Sequence, residues 1–300
     1  MTEIEATIEN LAAQLDALKM RSGRMLTNMF QSNGELADML TRKACRLFYG
    51  HKALLLSIPY FQHYRDLFYC VATTDALYQA VKEAQAARPD GVTLRISVVG
   101  RDTDTQATLA ALTAADFACR ARNARMRLEK PKPHIIAALR ELVASQDDGT
   151  TSQPRFATQE DAEAVYRLLS EEFDFCSDSL PEFEELVDNI AKKQVVVICD
   201  ADTVVCAHYF TLSNNIYYGH FDVTAKAYRH KFLFLRITLF MYDNVEMRGT
   251  RSFVRRYGWR NVAAKRLVKF AKLSNQIADG IYINNMVWPA SEGEQAHAAS

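Results

Sequence analysis

The sequence predicts a mixed α/β (α+β) chain in two units, each a mostly antiparallel mixed sheet flanked by helices. Three observations carry this. Apolar residues recur at helical spacing in some stretches and alternate or run together in strand-length stretches elsewhere. Between residues 194 and 224, three strand patterns follow one another across hairpin-sized connections, the signature of an antiparallel meander. The polar segment Gln146 to Pro154 (QDDGTTSQP) has no apolar anchors and marks a linker between two halves.

Along the first half, residues 1–48 are expected as helices packing on the domain behind them. Ile4, Ile8, Leu11, Leu15 and Leu18 share one face, and Glu35 to Phe48 repeats the pattern with Leu36, Met39, Leu40, Ala44 and Leu47 inward. Domain one is expected at 49–146. Ala53 to Ile58 suits a buried strand ending at Pro59, and Asp66 to Ala72 a second. A helix over Thr74–Ala87 ends at the turn Arg88-Pro89-Asp90-Gly91. Val92–Val99 alternates as a strand and Thr103–Ala115 is helical. Phe117–Leu128 reads as two short strands around Arg122-Asn123, and Pro133 opens a helix to Ser145.

A second domain is expected at 155–288, followed by a small, polar tail at 289–300. Thr158 and Asp161 have capping-box spacing, and the helix behind them buries Ala162, Val165, Leu168, Leu169 and Phe173. A helix over Pro181–Ala191 precedes the strands Gln194–Asp200, Thr203–Leu212 and Ile216–Thr224. After these come a long helix over Tyr228–Met247, a strand at Ser252–Tyr257, a helix at Asn261–Leu273 and a strand at Gly280–Asn284.

Composition excludes several classes. Of 300 residues, 49% are apolar and 24% charged, which is globular and not disordered. Lys+Arg and Asp+Glu both total 36, and this zero balance argues against a generic nucleic-acid binder. No apolar run approaches the roughly 18–20 residues that span a bilayer, and the acidic start Met1-Thr2-Glu3-Ile4-Glu5 is unlike a secretory signal. The cysteines at 45, 70, 119, 176, 199 and 206 form no C-x-x-C pair, so reduced thiols in a cytoplasmic protein are expected. The histidines at 51, 63, 134, 208, 220, 230 and 297 show no metal-ligand spacing, although His208 and His220 fall on neighbouring strands. P-loop, G-x-S-x-G and H-E-x-x-H motifs are missing.

Two stretches carry chemistry. On the strand Ile216–Thr224, alternation puts Tyr218, His220 and Asp222 on one face, where a histidine beside a carboxylate makes a usable base. His220 as a satisfied core residue is the competing reading. From Arg248 to Lys272, nine basic residues run without an acid: Arg248, Arg251, Arg255, Arg256, Arg260, Lys265, Arg266, Lys269 and Lys272. They suit an anion site, or a solvated face opposite the eleven carboxylates between Glu160 and Asp188.

The order helix, helix, three antiparallel strands, helix, strand, helix, strand over 155–288 resembles that of the GNAT acyltransferases. Arg155-Phe156-Ala157-Thr158-Gln159-Glu160-Asp161-Ala162 resembles their first-helix entry. Val223 followed by Tyr228-Arg229-His230-Lys231 resembles the run from the fourth strand into the acyl-donor loop, and Asn261-Val262-Ala263-Ala264-Lys265-Arg266-Leu267 the N-x-x-A-x-x-L helix start. The strand–helix pair at 92–115, with Asp116-Phe117 and Arg125–Leu128, resembles the closing part of a degenerate first copy, which suggests a tandem.

The resemblance implies acetyl-CoA or another acyl-CoA as co-substrate, no metal and no membrane. The acceptor would be a small amine or a peptide. Val223 and its strand would hold the pantetheine arm, while Arg229, His230, Lys231 and Asn261 would contact the rest of the donor. His220 or Asp222 would act as base. Val268 stands where the family's acid Tyr is usual, which leaves Tyr257 as the nearest substitute. The pattern departs at Phe232 and Phe234, which replace the two glycines of the phosphate loop. That departure opens three alternatives: an acyl carrier protein as donor, an aminoacyl-tRNA-dependent transferase, or a non-catalytic module with both phenylalanines in its core.

Overall fold

The computed structural model describes residues 1–31, 33–61, 63–128, 133–146, 149–213, 216–245, 252–258 and 276–289. Its chain forms two compact units: Met1–Arg122 with Gly280–Ser300, and Asn123–Asp279. A linear split at 146–155 was the expectation. In these units the last strand instead belongs with the first half of the chain, and residues from 123 onward with the second.

The first unit opens with β1 (Thr2–Glu5), α1 (Ile8–Ser22), β2 (Leu26–Thr27), α2 (Asn33–Arg42) and β3 (Arg46–Tyr49). The expectation of helices alone over 1–48 is corrected here. Two helices form, but Thr2–Glu5 pairs antiparallel with Arg46–Tyr49, and Leu26–Thr27 pairs with a later strand. Helical spacing and strand alternation overlap in windows this short, and tertiary pairing decided between them.

β4 (Ala53–Tyr60), β5 (Tyr64–Val71), α3 (Thr74–Ala87), β6 (Thr93–Gly100), α4 (Asp102–Ala114) and β7 (Ala118–Leu128) follow. β7 is one continuous strand, where two short ones were expected. β4 is buried on both faces because helices cover both. Leu55 joins the α3–α4 side, while Leu54 and Leu56 join the α1–α2 side.

The second unit holds α5 (Pro133–Gln146), β8 (Arg155–Phe156), α6 (Ala162–Glu172), α7 (Phe175–Asp178) and α8 (Phe183–Ala191). Then come the meander β9 (Val195–Asp200), β10 (Thr203–Ser213) and β11 (Ile216–Thr224), a 3₁₀ turn at Lys226–Lys231, α9 (Leu233–Asn244) and β12 (Ser252–Gly258). The helix expected over Tyr228–Met247 is therefore broken at Phe232. Among the described residues the sheet runs β8-β9-β10-β11-β12, with the Asn123–Leu128 part of β7 beside β12. α6 and α8 cover one face, and α9 covers the other. β13 (Gln276–Trp288) pairs through Tyr282–Trp288 with β6 in the first unit.

The polar linker is anchored without apolar side chains. Ser152 exchanges hydrogen bonds with the backbone of Cys199: its N–H reaches the carbonyl at 2.7 Å, and its hydroxyl accepts the Cys199 amide at 2.9 Å. The guanidinium of Arg236 on α9, only 6% exposed, donates to Thr151 Oγ1 (2.6 Å) and to the Ser152 carbonyl (2.9 Å). A buried cation satisfied by hydrogen bonds orders a segment whose composition suggests a loose one.

Ahead of α6, Asp161 accepts from Arg155 at 2.6 and 2.8 Å and from the Thr158 amide at 2.7 Å. Arg155, first among several causes, holds the Asp161 carboxyl below its ordinary value. A depressed folded value means that the unfolded chain protonates first. The pair's stabilisation is thus complete above the unfolded value and is lost as pH falls through the folded one. Arg155 is nearly half exposed, so solvent discounts the pair to about 1–2 kcal/mol. Asp161→Asn should therefore melt several degrees lower at neutral pH, and the gap from wild type should close in acid, below the ordinary carboxylate range. Thermal melts across pH test this, and a gap that persists in acid would refute it.

Candidate active site

β10 and β11 pair in register from Cys206↔Thr224 to Tyr209↔Phe221, and resume at Phe210↔Gly219. His220 is the extra residue of a β-bulge. An inserted residue inverts the alternation beyond it, so side chains two apart across the bulge no longer share a face. The expectation that His220 and Asp222 line one wall is corrected on this ground. His220 lies on the α6–α8 side, its Nε2 2.8 Å from Thr211 Oγ1 and its ring 5.0 Å from Tyr209. Asp222 lies on the α9 side, opposite His208.

The residue that meets Asp222 is His208. Its Nδ1 is 2.5 Å from Asp222 Oδ1, and its Nε2 bonds the Tyr217 hydroxyl. A carboxylate only accepts, so Nδ1 carries the proton and Nε2 accepts from the phenol O–H. The bulge also turns Tyr217 to this face. His208 is 1% exposed and its ring lies near-parallel to those of Phe210 and Tyr217, which also stack on each other at 5.1 Å, with Phe234 edge-on at 6.4 Å. The Asp222 side chain is 35% exposed. The arrangement is thus a hydrogen-bonded row that starts in the core and surfaces at a carboxylate. Sequence reasoning missed His208 and Tyr217 as its members. The available signal was Gly219 inside a strand pattern, which often marks a bulge.

The row stands beside a split in the sheet. β11 and β12 run parallel from Ile216↔Ser252 to Gly219↔Arg255, and among the described residues no rung follows. β11 continues to pair with β10 to Thr224, while β12 continues to pair with β7 to Gly258. The strands therefore part at the bulge, and residues 220–224 run along the side of β11 that β12 no longer covers. Val223 sits on this edge with its side chain buried among α6 and α8 residues. Tyr257 is two residues past the last rung, opposite Ala124. Asn261 lies outside the described residues, as does all of the basic run except Arg255 and Arg256.

Downstream of β11, the chain turns through Lys226–Lys231 into α9. Phe232 makes the join in the left-handed region (φ 52°, ψ 28°) and is 47% exposed. The backbone conformation that suits glycine is thus kept here without glycine, and Phe232 is not a core residue. Arg229 donates to Glu172 of α6 at 2.6 Å and to the Thr224 carbonyl at 3.2 Å. Lys231 donates to Thr150 Oγ1 at 2.5 Å, and His230 is exposed. Lys226, Arg229 and Lys231 therefore gather near the N-terminus of α9, whose first amides have no partners within the helix. That set fits a phosphate-bearing donor, with Glu172 as a competitor for Arg229.

On the same face, Cys206 is fully buried, and burial pushes its thiol up to about 12. It therefore stays protonated at neutral pH and is no nucleophile. Among the described residues, no three His, Cys, Asp or Glu side chains gather as for a metal, and no helix is long and apolar enough to cross a membrane.

With this geometry in place, the chain resembles several solved structures. A GCN5-related N-acetyltransferase from Sphaerobacter thermophilus superposes with TM-score 0.58 at 12% identity, over 95% of this chain and 94% of that one. A tandem GNAT protein from the clavulanic acid biosynthesis pathway gives 0.58 at 11% identity, over 95% and 97%. A GNAT-family acetyltransferase from Colwellia psychrerythraea gives 0.54 at 11%, over 96% and 99%. The fold is that of the GCN5-related N-acetyltransferases. No protein-family profile and no curated protein sequence matches the chain. Leaving aside β2 and α7, both halves contain the order strand, two helices, three strands, helix, strand: β1, α1, α2, β3–β5, α3, β6 in the first, and β8, α6, α8, β9–β11, α9, β12 in the second.

A left-handed non-glycine residue costs roughly 1–2 kcal/mol, and glycine gives part of that back in backbone entropy. Phe232→Gly should therefore raise stability by about 0.5–1 kcal/mol, seen as a higher Tm, because its exposed ring contributes little burial. A lower Tm would mean that the ring, not the backbone, dominates at this corner.

Proposed function

We propose that the second unit is an N-acyltransferase that moves an acyl group from an acyl-CoA thioester to an amine. The observation that supports it most is Asp222, placed where β11 and β12 part and backed by His208 and Tyr217. An amine acceptor is a cation at neutral pH and must lose a proton before its nitrogen can attack. Asp222 takes that proton. His208 holds the carboxylate in place through Nδ1–H, and Tyr217 fixes the tautomer that makes this donation. Acyl-CoA, when bound, supplies a carbonyl carbon joined to a thiolate that leaves without a strong acid, since an ordinary thiol titrates near about 8.5.

The amides at the start of α9, with Lys231 and Arg229, hold the donor's negative charge. Edge groups of β11, Val223 among them, pair with its amide-bearing arm. A small amine or a lysine of a peptide is the acceptor class. The exposed Phe232 and the Arg229–Glu172 pair favour a second reading, in which the acyl group arrives on a carrier protein or a tRNA and leans less on this loop.

Thiol release from acetyl-CoA across a panel of amines tests the first reading. Asp222→Asn should lower kcat by about 10²–10⁴-fold with little change in donor affinity. Lys231→Ala should instead weaken donor binding. If all acyl-CoAs fail to bind while RNA binds with a steep salt dependence, the second reading replaces the first.

A separate expectation concerns the route. Cys206→Ala should retain activity, and alkylating reagents should leave the wild type active, because the acyl group passes directly to the amine. Inactivation with an acyl adduct on Cys206 in a mass spectrum would show a two-step transfer instead.

A further inference from the structure

The first unit has a split of its own. β5 and β6 run parallel from Tyr64↔Thr93 to Asp66↔Arg95 and pair no further among the described residues. The last rung carries an ion pair, Arg95 to Asp66 at 2.6 and 2.7 Å. Beyond it, the backbone of Leu67 and Tyr69 on one side and of Ser97 on the other must find partners in a buried place.

They find them on a short segment of the same chain. Between α1 and α2, Leu26 and Thr27 pair antiparallel with Val71 and Cys70. The next side chain, Asn28, enters the split and is 6% exposed. Its Nδ2 donates to the carbonyls of Leu67 (3.1 Å) and Ser97 (3.0 Å), one on each strand. Its Oδ1 accepts the Tyr69 amide at 2.6 Å, and its own N–H meets the Tyr69 carbonyl at 3.3 Å. Thr27 Oγ1 adds a bond of 2.8 Å to that carbonyl. A primary amide thus meets both donors and acceptors at the point where the strands separate.

The reacting groups of the second unit have no counterpart here. β4 and β5 pair without a bulge, and on the α3 side, which matches the α9 side where His208 faces Asp222, the first unit sets Leu55 opposite Tyr69. The helix after the split also disfavours phosphate. At α3, Thr73 already caps the Ala76 amide at 3.2 Å, and Asp75 puts an acid in the first turn.

We propose that residues 26–28 are a built-in ligand of the first unit, a segment of its own chain seated in a groove that would otherwise accept an extended, amide-bearing, phosphate-free chain such as a pantetheine arm. The groove is latent: its walls are intact and Asn28 closes it. This inference rests on the GNAT fold of the first unit and not on the chemistry assigned to Asp222.

The test follows hydrogen exchange of the Tyr69 amide in the full chain, with pantetheine as the probe. In the wild type this amide should be protected and unaffected by pantetheine. In Asn28→Gly it should exchange at least about ten-fold faster and regain protection as pantetheine is added, with CoA no more effective. Exchange along 216–224 is read in the same experiment and reports the second unit, so failure there leaves this inference standing. Should Asn28→Gly not fold, Asn28→Asp keeps the shape and turns a carboxylate oxygen toward two carbonyls, opening the same groove. A folded variant whose Tyr69 amide stays protected, or exchanges fast but ignores saturating pantetheine, would overturn the proposal.

Discussion

One inserted residue sets the geometry of the candidate site in the second unit. The register of β10 steps from Phe221 to Gly219 past His220, and the alternation of β11 inverts on either side of it. Tyr217 and Asp222, five residues apart, consequently share the face of His208. Without the insertion, Asp222 would share a face with Tyr218 and His220, and His208 would be buried without its acid. The site also opens where it does because β12 stops pairing with β11 beside the same bulge. The first unit is the internal control for this argument. Its equivalent strands pair without interruption, its matching face sets Leu55 opposite Tyr69 with neither a histidine nor an acid, and its split is occupied by Asn28.

Polar anchoring does much of the work that apolar burial does elsewhere. The linker is held by Arg236 and by the Cys199 backbone, and Lys231 reaches the same segment at Thr150. The corner that carries the basic residues is therefore tied to the end of β9 and to α9 together. Glu172 draws Arg229 toward α6, so an anion arriving at α9 must compete with a carboxylate already in place. Phe232 shows that backbone geometry at such a corner outlasts the residue type that suits it best.

Much of the fold was legible because its elements are long and periodic. The buried set Ala162, Val165, Leu168 and Leu169 on α6, the meander of β9 to β11, and the alternation of β6 were all readable from spacing. The N-terminal strands were not, because a four-residue strand gives too little pattern to outweigh a helical neighbour. In the site, Asp222 was legible as a carboxylate on the right strand, but its partner was not. Alternation assumes an unbroken register, and the bulge is a tertiary fact with only Gly219 as its local trace. Asn28 left no trace, since its role depends on Leu67 and Ser97, 39 and 69 residues downstream.

The placement of β13 has a consequence for how the protein is made. Tyr282–Trp288 completes the sheet of the first unit against β6, and Asn285 bonds Ser97 across 188 residues of sequence. During synthesis, the first hundred residues therefore emerge with β6 lacking this neighbour, which follows 188 residues after Ser97. An unpaired edge of that duration invites pairing with the wrong strand. The ribosome's pace and chaperone cover thus bear on this protein more than on one whose halves close in the order they appear.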